Sequence, residues 1–424
     1  MCEVAVPSGL AHQQDFAGNT AGHSSVAPTP TPLDSEADKP ALALRQLTLT
    51  HFRNYASLRL RCGDEPVVLT GPNGAGKTNL LEAISFLSPG RGLRRAKLGD
   101  LALRDAAMPA PENDTAVWGV AAHLKTPNGP VDLGTGCTGD HQGARRPRRI
   151  IHIDGETVSQ QAALAEHAHI QWLTPQMDRL FLDGASARRR FLDRLVFGFD
   201  PAHAGRVAAY DHALRERNRL FRAQGLHADP DWLAALEDTM ASKGIAVAAA
   251  RRDALSRIQP ACIEVHSHFP AAEVWLDGEI ERWLEEAPAL AAEDRFREAL
   301  AADRAKDAET GRATIGPHRS DLMVRHTGNG RMAELCSTGE QKALLIRLTL
   351  AHVQTAARDW GRLPILLLDE VAAHLDEKRR TALIEEILSL RIQAWLTGTD
   401  AALFEPFQRE AQFFTVNAGT VLPA

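Results

Sequence analysis

Three short segments of this chain combine residue types that could handle a nucleoside triphosphate. Gly71-Pro72-Asn73-Gly74-Ala75-Gly76-Lys77-Thr78 fits the pattern G-x-x-x-x-G-K-[ST], with Asn79 next in line. The glycines let the backbone fold tightly, so that successive N–H groups converge on phosphate oxygens. A helix starting near Lys77 would point its positive end at the same anion. Lys77 supplies a compact charge for the β- and γ-phosphates, and the Thr78 hydroxyl suits Mg²⁺, which prefers hard oxygen ligands. Far downstream, Ile365-Leu366-Leu367-Leu368 runs into Asp369-Glu370. Four apolar residues predict a buried parallel strand with two carboxylates at its C-terminal end, where open α/β sheets place their sites. Asp369 is the Mg²⁺ ligand expected there, and Glu370 the general base for an attacking water. Between them, Ser337-Thr338-Gly339-Glu340-Gln341-Lys342 precedes an apolar helix, and Ser337 with Gly339 forms a second candidate anion site at a helix N-terminus.

These segments need elements to hold them. Val67-Val68-Leu69-Thr70 reads as the buried strand feeding the phosphate loop. Leucines at 42, 44, 47 and 49, then 58 and 60, predict a hairpin turning near Asn54-Tyr55. Further strands are expected at 117–124, 130–133 and 149–153, beside the turn pairs Asn128-Gly129 and Asp154-Gly155. Residues 177–306 read as mostly helical, cut into short helices by Pro230, Pro260, Pro270 and Pro288. Strand patterns return at 313–315 and 322–325. The C-terminal part then alternates helix 342–357, strand 365–368, helix 378–390 and strand 394–397. No long heptad array or internal repeat is visible.

Composition sets outer limits. The chain has 424 residues, 48 Lys+Arg against 54 Asp+Glu, and a net charge of −6, which excludes a wholly polycationic DNA binder but not a local basic face. Candidate basic clusters are 145–149, Arg188-Arg189-Arg190, and the run of Arg215, Arg217, Arg219 and Arg222. With no recognition-helix or finger motif, backbone reading is expected rather than base reading. Five scattered cysteines suggest neither a disulfide framework nor zinc, and fit a reducing, cytoplasmic setting. His167-Ala-His169 and His266-Ser-His268 have no matching third ligand motif. No apolar run is long enough to span a bilayer, so no membrane partner is expected. Residues 1–40, rich in Pro, Ser, Thr and acids, read as a disordered tail.

The order of phosphate loop, S-x-G-E segment and acidic strand, followed by His374-Leu375-Asp376, resembles the ATP-binding-cassette ATPases. That resemblance implies ATP and Mg²⁺ as cofactors and a head-to-tail homodimer in which Ser337 and Gly339 of one copy cover the ATP held by the other. It also implies that Gln176 is the lid glutamine, with Gln171 as a rival. Many of these proteins carry a His at the switch position; here the sequence reads Thr397-Gly398-Thr399, and Thr397 or Thr399 is a candidate γ-phosphate sensor. Ser337 lies 266 residues after Gly71, farther than in transporter subunits and without the very long coiled coils of chromosome-maintenance proteins.

That medium-sized helical insert, together with LTLTHFRNY at 47–55, GPNGAGKTNLLE at 71–82, LTPQMD at 173–178, RRRFLD at 188–193, GPHRSDL at 316–322 and LDEVAAHLD at 368–376, resembles the RecF family of bacterial recombination and repair mediators. The fold implied is an α/β P-loop ATPase head of the ABC type (41–173 and 307–424) with an inserted, mainly helical lobe (174–306). The function implied is ATP-dependent binding to double-stranded and gapped DNA, with RecO and RecR as partners in loading recombinase, a role in the SOS response, and weak DNA-stimulated ATP hydrolysis used as a switch. The alternative is the cytosolic ATPase subunit of an ABC transporter.

Overall fold

The computed structural model describes residues 42–103, 117–138, 148–264, 267–360, 363–407 and 409–424. The tail expected at 1–40 and the basic residues 145–147 lie outside them.

The chain opens as the leucine pattern requires. Strands β1 (Ala43–Phe52) and β2 (Tyr55–Arg61) form a hairpin whose turn puts Arg53 at φ 56°. Strand β3 (Val67–Thr70) then delivers the chain to helix α1 (Lys77–Ser85). Strands β4 (Trp118–Thr126), β5 (Gly129–Thr138), β6 (Arg148–Ile153) and β7 (Glu156–Val158) join β1 and β2 in an antiparallel sheet of order β2-β1-β4-β5-β6-β7. A single helical turn, α2 (Leu164–His167), leads to strand β8 (Ile170–Leu173).

Six helices follow: α3 (Ala185–Phe199), α4 (His203–Gln224), α5 (Pro230–Ile263), α6 (Glu279–Glu286), α7 (Ala289–Ala302) and α8 (Arg304–Thr310). Three expectations fail here. Helix α5 runs unbroken for 34 residues: Pro230 sits in its first turn, where a missing N–H costs no intrahelical bond, and Pro260 lies only in its last turn, so the helix ends at Ile263. Strand β9 (Ala272–Asp277) interrupts the stretch read as helical, and it pairs antiparallel with β10 (Asp321–His326). The strand expected at 313–315 does not form. Its backbone is held instead by side chains: Ala313 N–H donates to Asn218 Oδ1 at 2.9 Å and Thr314 N–H to Asp307 Oδ1 at 3.1 Å.

The last third is α9 (Thr338–Trp360), β11 (Ile365–Leu368), α10 (Glu377–Ser389), β12 (Ala394–Gly398), β13 (Gln412–Asn417) and β14 (Thr420–Pro423). A second sheet has the order β14-β13-β3-β12-β11-β8, parallel except for the edge strand β14. Segments up to 345 residues apart in sequence thus become neighbours. Every residue of β3, β8, β11 and β12 is buried, which explains their largely apolar sequences, with Thr70, Gln171 and Thr397 as the buried polar exceptions.

Alternation divides the core. Val67, Leu69, Ile365, Leu367 and Trp395 face a cluster shared with α1 and the antiparallel sheet. Val68, Leu366, Leu368, Ala394 and Leu396 face the opposite side, against α3, α9 and α10. Helix α1 is therefore held between two sheets, and its N-terminus is fixed at the carboxyl edge of the parallel one.

Candidate nucleotide site

The phosphate loop connects β3 to α1, and packing requires two of its glycines. Gly71 has φ 145°, and a Cβ there would lie 2.1 Å from the Val416 carbonyl oxygen. Gly76 has φ 117°, and a Cβ there would lie 2.6 Å from the Tyr55 hydroxyl. Lys77 curls over the loop, its Nζ donating to the carbonyls of Gly71 (2.6 Å) and Pro72 (2.9 Å). Burial lowers the Lys77 pKa, while Glu370 and Asp369 oppose that shift.

The sheet brings the acidic pair to this loop. β12 lies between β3 and β11, so residues following β3 and β11 emerge at one edge. The Thr78 hydroxyl donates to Asp369 Oδ1 at 2.9 Å, joining positions 291 residues apart. Two hard oxygens at one point are the donor set that Mg²⁺ takes. Asp369 is nearly buried, and burial raises its pKa against the hydrogen bonds from Thr78 and Thr397. The fully buried Thr397 hydroxyl donates to Asp369 Oδ1 at 2.9 Å and accepts from the Glu370 N–H at 2.8 Å. Glu370 adopts φ 53°, a left-handed conformation that costs a non-glycine residue about 1–2 kcal/mol. Thr397 is thus a clamp on the acidic pair, whereas Thr399 is exposed.

Motif residues singled out by family likeness acquire jobs here. Asn54 Nδ2 donates to the Ala75 carbonyl at 3.1 Å, and the Tyr55 hydroxyl donates to that of Gly76 at 3.0 Å. Asn79 is turned to this frame, donating to Asn54 Oδ1 at 2.7 Å and accepting from Arg94 at 2.8 Å. Arg53 grips the buried Glu82 of α1 with two bonds of 2.9 Å. Nothing in single-sequence spacing marks Asn54 and Tyr55 as loop anchors, because their contacts span 21 residues and a sheet-to-loop packing.

Gln176 follows β8 and is exposed at the same carboxyl edge, since Leu173 pairs with Leu368. Its rival Gln171 is fully buried within β8. Ser337 caps α9 in a reciprocal box: its N–H and hydroxyl both donate to Glu340 Oε2 at 2.8 Å. Ser337 and Gly339 are exposed, and among the described hydrogen bonds none joins them to residues 71–78 of the same chain. Lys342, one turn on, pairs with Asp178 of the segment after β8 at 3.4 Å.

The basic clusters fare differently. Arg188 binds Asp321 through bonds of 2.7 and 2.6 Å, and Arg189 donates to the Ser320 carbonyl at 2.6 Å. Arg217 is fully buried between Glu237 and Asp307, and Arg219 pairs with Glu216. Arg149 is buried and donates to the Gly90 carbonyl at 2.7 Å. Most of these charges hold the fold together. Asp193, of the same 188–193 segment, receives two bonds from Arg251 (2.8 and 2.9 Å) and one contact from His203 at 2.8 Å.

Comparison with known proteins bears on the family and the fold. Residues 43–421 fit the model of the RecF/RecN/SMC N-terminal domain. The DNA replication and repair protein RecF of Mesorhizobium japonicum is 47% identical over 384 residues, covering 90% of this chain and 97% of that protein. This chain belongs to the RecF family. The RecF of Brucella suis is similarly close, at 48% over 384 residues, covering 89% and 95%. Solved structures of the recombination mediator protein RecF-ATP and RecF-ATPrS align with TM-scores of 0.76 and 0.75 at 20% and 21% identity. They cover 92% and 91% of this chain and 100% and 98% of theirs. The RecF fold is thus the α/β fold described above, and an SMC head domain from Pyrococcus furiosus shares it more distantly, at a TM-score of 0.51. Among the described residues of this RecF-family chain, no helix is long and apolar enough to cross a membrane.

Proposed function

We propose that this chain is an ATP-dependent DNA-binding protein of recombinational repair and replication-fork maintenance, acting as an ATP-closed homodimer on double-stranded and gapped DNA. The observation that carries the reading is the closure of Thr78 on Asp369 at 2.9 Å, in a chain whose relatives are named DNA replication and repair protein RecF. The solved RecF structures named for the RecFOR pathway support RecO and RecR as partners in loading recombinase onto single-stranded gaps. The SOS response is the setting this implies.

In this reading the N–H groups of residues 71–78 and Lys77 hold the phosphates of ATP. Thr78 and Asp369 would hold Mg²⁺, which would supply charge neutralisation on the phosphate oxygens. Glu370 takes the proton of the attacking water as the bond between the γ-phosphorus and the ADP oxygen breaks, and Thr397 keeps Glu370 in place. Ser337 and Gly339 of the second copy close over the γ-phosphate, so binding favours the dimer and hydrolysis releases it. Residues 41–173 with 307–424 serve as the ATPase head, and 174–306 as the second lobe. Exposed cations with no ion pair among the described residues include Lys97 on the loop after α1 and Arg215 on α4. They are the phosphate contacts this reading favours over the internally paired clusters.

Sedimentation velocity with and without ATP, Mg²⁺ and gapped duplex DNA tests the reading. The expected result is a monomer without nucleotide and a DNA-bound dimer with it. A single copy at saturating ATP, on or off DNA, overturns it.

A further inference from the structure

A cavity of about 890 Å³ lies where the loop after α1, the segment following β8, and helices α3 and α4 meet. Its size is that of a ligand pocket. The walls are apolar in the main, with Leu93, Met177, Leu180, Phe191 and Phe197 among them. Small residues of α4, notably Gly205 and Ala208, keep the space open.

Its charges are mixed with a surplus of cations, four arginines (Arg91, Arg95, Arg190 and Arg194) against three aspartates (Asp183, Asp193 and Asp211). Arg95, Arg190 and Arg194 all line it, and none of the three has a carboxylate within ion-pair distance among the described residues. Arg95 sits at φ 57°, on a loop whose backbone holds it there. The Arg194 guanidinium carbon sits over the Trp172 ring, 4.1 Å from its centroid, and its hydrogen bonds to Gln171 (3.3 Å) and to the Trp172 carbonyl (3.4 Å) are long. Burial pushes its pKa down to about 9, and repulsion from Arg190 adds to the shift. Of the acids on the walls, Asp193 is committed to Arg251 and His203, and Asp183 and Asp211 remain. The guanidiniums thus repel one another beside an apolar floor, an arrangement that an anion with an apolar body would relieve.

We propose that this cavity is a docking site for a short acidic segment of a partner polypeptide, one whose carboxylates meet Arg95, Arg190 and Arg194 while a bulky apolar side chain fills the space over Ala208. Charge complementarity selects an acidic occupant, and the apolar walls select a side chain rather than a phosphate alone. A nucleobase fits less well, because the face of Trp172 already carries a guanidinium. Gln176 lines the same cavity, so the occupant would sit beside the nucleotide lid.

The test uses the full chain without nucleotide, so that it does not depend on ATP-driven assembly. Panning a random heptapeptide phage library should enrich sequences in which Asp or Glu flank Leu, Phe or Trp. Fluorescence polarisation with the most enriched peptide should show saturable binding, weakened at least tenfold by Ala208→Trp, which fills the cavity, and by Arg190→Glu, which reverses a charge. Arg219→Glu, on the same helix as Ala208 but not on the cavity wall, should leave affinity unchanged. Failure to enrich such sequences overturns the proposal, as does equal binding by both cavity variants. Displacement of the peptide by a deoxythymidine octamer, lost in Arg190→Glu, would assign the cations to nucleic acid and overturn it as well.

Discussion

Thr397 Oγ1 lies 2.9 Å from Asp369 Oδ1, the same oxygen that receives the Thr78 hydroxyl. The phosphate loop, the acidic strand end and β12 therefore meet at one carboxylate oxygen, and the same threonine anchors the left-handed backbone of Glu370. Thr397→Val keeps the shape and removes both bonds. Each is worth about 1 kcal/mol, so phosphate release should fall roughly tenfold or more while the variant stays folded by circular dichroism. Unchanged turnover would show that Glu370 needs no such clamp.

Glu370→Gln should bind ATP but release phosphate far more slowly, giving a longer-lived dimer. Lys77→Arg should fail to dimerise on ATP, because a planar guanidinium does not replace a compact ammonium between the Gly71 and Pro72 carbonyls. Light scattering during ATP addition separates the two outcomes. Dimerisation of the Lys77 variant at wild-type ATP concentrations would remove Lys77 from the assigned role.

Tyr55→Phe removes one hydrogen bond to the loop at Gly76, and Asn54→Ala removes the bonds to Ala75 and from Asn79. At about 1 kcal/mol per bond, ATP affinity should fall around fivefold in the first and further in the second. Titration with a fluorescent ATP analogue reads this directly. Equal affinities in all three proteins would mean that the loop holds its shape unaided.

Binding to duplex DNA should weaken steeply with salt and vary little with sequence, since the contacts expected are to phosphates. Removing one phosphate contact by Lys97→Ala should flatten the plot of log affinity against log salt by about 0.9. Filter binding from 50 to 200 mM salt checks it, and a flat response in the wild type would exclude phosphate reading.

His169 and His352 stack edge to face, 5.0 Å between centroids, with all four ring nitrogens buried and without hydrogen-bond partners among the described residues. Burial pushes the His169 pKa down to about 4. The sign follows. Below the ordinary histidine value the unfolded chain binds a proton that the folded chain refuses, so stability falls as pH drops from about 6.5 towards 4. For His169 alone the full loss is roughly 3 kcal/mol. Urea denaturation at pH 7 and pH 5 should show a smaller difference for His169→Leu than for the wild type; an identical difference would mean that the imidazole titrates normally in the fold.

Residues 71–78, 337–342 and 365–370 were legible as chemistry from the sequence because each is contiguous: loop flexibility, helix capping and an apolar strand ending in acids are local properties. β3, β11 and β12 were legible for the same reason, since a strand buried on both faces needs a mostly apolar run. Strands β8, β9, β13 and β14 were not, because their pairing partners supply what their own short patterns lack. Tertiary structure alone decided which charges serve the fold. Arg149, Arg188 and Arg217 look like Lys97 or Arg215 in a row of letters, yet burial obliges the first three to find internal acceptors, while the other two stay in solvent. It also gave Asn54, Tyr55 and Thr397 their roles, since a hydrogen bond between distant segments exists only once the sheets have packed.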